Sequence, residues 1–140
     1  LKNYQSKINK VLMSILGIGT DIVENLRIRK LLKNKKFINR IFTKNEIENS
    51  KKITNKTNYF SKKFSAKEAF VKSLGTGIIK GINFKDITIS NDLNGKPIII
   101  LNSKVKKFIK KNITKKKLNI FVSISDESKY SISYVIIEVK

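Results

Sequence analysis

Cysteine, histidine and tryptophan are absent from this 140-residue chain, and proline and methionine occur once each. Without cysteine there is neither a disulfide framework nor a thiolate metal site, and without histidine no imidazole can serve as base or ligand. Acid–base or metal chemistry therefore falls to carboxylates, lysines, hydroxyls and water. No apolar run approaches the roughly 20 residues needed to span a bilayer, which argues for a soluble chain with no membrane role. No internal repeat and no Pro- or Ser-rich linker divides the chain. Its length suits one domain, large enough to bury about two thirds of the surface its unfolded form exposes.

Acids are also scarce, 10 against 31 Lys and Arg, for a net charge of +21. Such an excess implies an anionic partner: nucleic acid, a phosphorylated cofactor or an acidic protein. Lys, Asn and Ile are over-used together, as an AT-rich genome produces, so position carries more weight than charge. Residues 1–13 are basic and acid-free, with Tyr4 and Ser6 as hydroxyls. They read as a leader or transit-peptide remnant ahead of a single domain at 14–140. Together with the AT bias they suggest a plastid-type organelle of a protist, with a bacterial cytoplasm as the alternative.

Ile15 to Val23 reads as a strand interrupted by Gly17 and Gly19. A basic helix follows from Glu24 to about Phe37, with Leu26, Ile28, Leu31 and Leu32 as its apolar contacts. "TKNE" (43–46) fits a capping box opening a short helix to about Lys52, and "TNKTN" (54–58) reads as linker. Asn58 to Leu74 is the clearest helix, with Phe60, Phe64, Phe70, Val71 and Leu74 on one face and Gly75 at the left-handed cap. Strands at Asp86–Ser90 and Pro97–Leu101 flank an Asn94-Gly95 turn, and Ser103–Asn112 is a basic helix. Leu118–Ser125 and Tyr130–Val139 form a closing hairpin around "DESK". The order βαααββαββ predicts an α+β domain whose mostly antiparallel sheet packs against helices.

On a strand, Asp21 shares a face with Ile15, Gly17, Gly19 and Val23, where a carboxylate is costly unless a cation meets it. By position alone it reads first as a cap of the following helix. The two glycines tip it toward a ligand role by clearing space before the carboxylate. Glu68 borders the apolar face of its helix, and its ordinary reading is an i,i+4 ion pair with Lys72. Taken together, two such carboxylates suit a hard cation such as Mg²⁺, with Lys72 as a phosphate point charge. "LGTGI" (74–78), with Gly75 and Gly77, offers backbone N–H groups as a phosphate cradle. Lys67, near the middle of the apolar face, reads as a snorkelling stem without chemistry. The run from Arg27 to Lys36 is either a solvated face or a docking helix for an acidic partner, anchored by Leu31 or Phe37.

"GIGTDIVENLRI" and "FSAKEAFVKSLGTGI", about fifty residues apart, together resemble the two signature motifs of the holo-acyl-carrier-protein synthase family, the short class of 4'-phosphopantetheinyl transferases. "RIFTKNE", "NGKP" and "VSIS…Y…YVIIE" fall in the family's order, so the resemblance spans nearly the whole domain. It implies a phosphopantetheinyl-transferase-like fold and Mg²⁺-dependent transfer of the phosphopantetheine arm from coenzyme A to a serine of apo-acyl carrier protein, in support of fatty acid biosynthesis. It assigns the metal to Asp21 and Glu68 and the coenzyme A phosphates to Lys72; Gly75, Gly77 and Pro97 are further expected coenzyme A contacts, with Ser125, Lys129 or another lysine in place of a family histidine. Arg27, with Lys30, Leu31 and Lys33 on the same basic stretch, falls to carrier docking, and the family implies a homotrimer with sites between subunits. One departure stands out: Asp126 occupies a position where the family commonly has a histidine that helps hold phosphates. An inactive carrier-binding protein is therefore one rival. A nucleic-acid-binding module is another, but it leaves Asp21 and Glu68 idle.

Overall fold

The computed structural model describes residues 14–77 and 82–140; the expected leader (1–13) and Ile78 of the "LGTGI" stretch lie outside it. The order is β1 (Ser14–Glu24), α1 (Asn25–Leu31), α2 (Lys35–Ile41), α3 (Lys44–Ser50), α4 (Lys56–Ser73), a 3-10 turn (Phe84–Asp86), β2 (Ile87–Asn91), β3 (Pro97–Leu101), α5 (Ser103–Asn112), β4 (Leu118–Asp126) and β5 (Tyr130–Val139). All pairing is antiparallel: one sheet runs β1-β5-β4 and a second pairs β2 with β3. The expected α+β class is the observed one. No helix of the described residues is long and apolar enough to cross a membrane.

Two boundaries differ from expectation for identifiable reasons. The basic helix expected to run unbroken to Phe37 splits, because the Asn34 side chain accepts from the N–H groups of Lys36 and Phe37 and caps a new helix. The expected "TNKTN" linker is partly helix: Asn55 caps α4 by accepting from Asn58 N–H, so the helix begins at Lys56. The Thr43–Glu46 capping box is present, both bonds made. Gly95, at φ 81°, completes the β2–β3 turn, where Asp92 Oδ1 accepts from Asn94 and Lys96 N–H.

α4 crosses both apolar clusters. Its C-terminal half, through Phe70, Val71 and Leu74, packs with Ile87, Val105, Val135 and Ile137. Its N-terminal half, through Phe60, joins Val23, Ile28, Ile41 and Phe42. The expected single apolar face is thus two contact regions. Between them lies Lys67, which does not snorkel. Its side chain is 0% exposed and its Nζ donates to Glu46 Oε2 (2.7 Å), Ile41 O (2.8 Å) and Phe84 O (3.1 Å). Glu46 Oε1 also accepts from Ile89 N–H, so one buried carboxylate ties α3, α4 and β2 together. Sequence reading saw only the local half of its bonding.

Candidate functional site

The site begins where α4 lies on β1. A Cβ at Gly17 would overlap the Ser73 carbonyl oxygen, and one at Gly19 would overlap Ala69 O and come within 2.6 Å of Ser73 N. The glycines were expected to clear room before the carboxylate. Instead the backbone of α4 fills that room, and the glycines serve helix–strand contact. A bulge between Ile15 and Gly17 adjusts the register, leaving Ile15 exposed rather than on the inward face with Asp21.

That close contact sets Asp21, two residues beyond Gly19, against side chains one turn apart on α4. Asp21 Oδ1 accepts from Lys72 Nζ at 2.8 Å, and Lys72 also donates to Thr20 O at 3.1 Å. Asp21 does not cap α1. Glu24 occupies that cap without a side-chain bond, and the helix start is held elsewhere. Asn25 N–H donates to Lys129 O, its Nδ2 donates to Glu127 O and Ser128 O, and its Oδ1 accepts from Ser131 Oγ. Sequence reading missed Asn25, whose signal was a polar residue at a helix start with nothing to mark its distant partners.

Glu68 does not make the i,i+4 ion pair. Lys72 turns to Asp21, and Glu68 has no ion-pair partner among the described residues. Burial raises its carboxyl above the ordinary value, and the Asp21 charge raises it further; Lys72 and Arg27 act in the opposite sense. The four side chains therefore share one electrostatic neighbourhood: two carboxylates that repel each other and two cations that offset them. No group of three metal-ligating acids, histidines or cysteines occurs among the described residues. A pair of carboxylates fits a hard divalent ion that keeps water and takes phosphate oxygens, as Mg²⁺ does.

The other expected residues fall in three places. Gly75 (φ 71°) and Gly77 (φ 67°) follow the end of α4 in left-handed conformations, with open space where a Cβ would stand. Pro97 lines a cavity of about 250 Å³ with Tyr59, Lys62, Lys63, Gly95 and Asp126. Lys62 is six residues before Glu68, about 9 Å along the helix. Ser125 is not in this cavity: it lies on the open face of the sheet, while its neighbours Ile124 and Asp126 line the cavity. Arg27, Lys30 and Lys33 are exposed, but Leu31 and Phe37 are half-buried in the second cluster and are poorly available as anchors. Leu26, 42% exposed, is the free apolar residue of α1.

Asp126 does not stand as a bare acid in the cavity. Its carboxylate accepts from Asn58 Nδ2 at 3.1 Å and pairs with Lys62 Nζ at 3.4 Å. Lys63, mostly buried nearby, donates to Ile89 O and stacks over the Tyr59 ring.

A model of the 4'-phosphopantetheinyl transferase superfamily matches residues 17–135. The chain belongs to that superfamily. It is 56% identical to a holo-[acyl-carrier-protein] synthase of Pelagibacter ubique over 91% of this chain and 100% of that one. The crystal structure of the Neisseria meningitidis holo-[acyl-carrier-protein] synthase superposes with TM-score 0.81 at 35% identity, covering 89% of this chain and 98% of that one. The Helicobacter pylori synthase, crystallised in complex with coenzyme A, superposes with TM-score 0.71 at 32% identity over 86% and 98%. Within the superfamily this phosphopantetheinyl transferase is therefore of the holo-acyl-carrier-protein synthase type. The expected plastid-type organelle is overturned: the Pelagibacter relative and others above 40% identity are bacterial, which favours the cytoplasmic alternative. An excess of Lys, Asn and Ile reports the base composition of a genome and carries no information about compartment.

Proposed function

We propose that this transferase moves the 4'-phosphopantetheine arm of coenzyme A to the serine hydroxyl of apo-acyl carrier protein, releasing adenosine 3',5'-bisphosphate, at a site made by Asp21, Glu68 and Lys72. The observation that carries the reading is the Asp21–Glu68 carboxylate pair with Lys72 bonded to Asp21. Asp21 and Glu68 would hold Mg²⁺, whose contribution is to neutralise charge on the pyrophosphate and the departing phosphate.

The chain's own groups do the rest. Lys72, half exposed, exchanges its bond to Asp21 for a phosphate oxygen. Gly75 and Gly77 let backbone N–H groups approach the phosphates without side-chain bulk. Pro97 and the cavity beside it receive the nucleotide end, where Lys62 and Lys63 supply positive charge and Asp126 holds Lys62 in place. Arg27 joins the carboxylate neighbourhood to the exposed face of α1. With Lys30, Lys33 and the exposed Leu26 it presents a basic surface to an acidic carrier, which brings the acceptor serine toward Asp21 and Glu68.

The open face of the three-stranded sheet supports a homotrimer. Along the cross-strand rows Ile18–Ile136–Phe121 and Ile22–Ile132–Ser125, the side chains of Ile18, Phe121, Ile22 and Ile132 are exposed together, an apolar surface that another copy would cover. Ser125 lies in that face, so its contact with coenzyme A is one made across copies.

The test is to incubate the protein with apo-acyl carrier protein, coenzyme A and Mg²⁺ and weigh the carrier intact. A gain of one phosphopantetheine unit is expected; an unchanged mass with verified fold and carrier would overturn the assignment.

A further inference from the structure

Farther along β3 and β4 from the Pro97 cavity, a second groove of about 530 Å³ lies between β3, α5 and the start of β4. Its walls are aliphatic: Ile99 and Leu101 from β3, Ile109 from α5, Leu118 and Ile120 from β4. Its rim is lysine: Lys106 and Lys110 on α5, then Lys115, Lys116 and Lys117 in the turn before β4. No acid lines it. The whole stretch 103–117 holds eight lysines and no carboxylate. The apolar side of α5, through Val105 and Ile109, is already buried in the core. What remains open is an apolar trough with a dense cationic edge, none of whose lining residues belongs to the Pro97 cavity or to the Asp21, Glu68 and Lys72 cluster.

We infer that this groove binds a single-chain anionic amphiphile, a long-chain carboxylate, with its hydrocarbon against Ile99, Leu101, Ile109, Leu118 and Ile120 and its head group on the lysine rim. The volume is within the range of small-ligand sites, which are mostly apolar with a few placed polar groups. Charge complementarity selects an anion: five lysines face one opening without a counter-charge. Residues 1–13 carry three lysines and no acid, so like charge disfavours them as occupant.

The probe is cis-parinarate, a long-chain fluorescent carboxylate, titrated into the full chain and then displaced with laurate or hexanoate below their critical micelle concentrations. Saturable emission is expected, with laurate displacing at a concentration at least about a hundredfold below hexanoate, because each methylene entering the groove adds affinity. The variant Lys110→Glu/Lys116→Glu should weaken parinarate at least about tenfold. A matched variant, Lys35→Glu/Lys36→Glu on α2, carries the same change of net charge and should leave binding within about twofold. Equal weakening by the two variants, equal displacement by hexanoate, or no saturable emission would each overturn the site. So would capture by anionic vesicles that laurate fails to compete, which would mark a membrane surface instead.

Discussion

Gly19 and Ala69 meet backbone to backbone: no side chain, not even a methyl, fits between the strand that carries Asp21 and the helix that carries Glu68. This contact fixes how closely Asp21 and Glu68, the proposed catalytic pair, approach each other. Gly19→Ala is accordingly expected to destabilise the fold by about 1–3 kcal/mol and to lower turnover beyond what the loss of folded protein explains. Urea unfolding alongside kcat, normalised to folded protein, separates the two; an unchanged kcat per folded molecule would detach the seam from catalysis.

Asp21→Asn and Glu68→Gln keep shape and remove charge. Each should cut transfer by at least about a hundredfold while leaving the unfolding midpoint near that of the parent, since neither carboxylate caps a helix or holds the core. Isothermal titration with Mg²⁺ should lose its signal in both. If stability falls in step with activity, the two acids are structural.

Arg27→Glu is expected to raise the KM for carrier protein about tenfold with kcat nearly unchanged, and to flatten the salt dependence of kcat/KM. Carrier kinetics indistinguishable from the parent would remove α1 from docking.

Lys67 is a fully buried cation. Lys67→Met leaves the Glu46 carboxylate buried without its partner and should cost about 3–5 kcal/mol, whereas adding Glu46→Gln should restore a large part of it. The pH dependence follows from burial, which lowers the Lys67 amine from 10.5 to about 8 in spite of Glu46. Between about pH 8 and 10.5 the unfolded chain binds this proton and the folded chain does not. Stability from this group therefore rises with pH across that window and is flat below it. Unfolding curves of the parent against Lys67→Met over that range read the slope directly; a fall with rising pH would contradict it.

Lys62→Ala leaves Asp126 facing the coenzyme without its cation, so the KM for coenzyme A should rise several-fold. Removing both charges with Lys62→Ala/Asp126→Ala should recover part of that loss. A double variant as weak as the single one would show that Asp126 does not oppose the ligand.

Much of this was legible because it is local. The Thr43–Glu46 box, the Gly75 cap, the Asn94-Gly95 turn and the closing hairpin are each written within a few residues, and the structure has all of them. The paired motifs also located the Asp21, Glu68 and Lys72 cluster. What failed depended on partners far along the chain. Gly17 and Gly19 looked like empty space until α4 was laid over them. Lys67 looked like a snorkelling stem because its acceptors come from positions 21 and 26 residues before it and 17 after. Asp126 looked like a repulsive acid because the lysine that neutralises it is on another element.

Among the described residues, β1 pairs with β5 alone, and Asp21 stands opposite Ser133. Synthesis proceeds from the N-terminus, so the strand holding Asp21 has no ladder to join until Tyr130–Val139 has been made. A product cut short before Tyr130 keeps the long helix but lacks the strand that fixes the register of the acid.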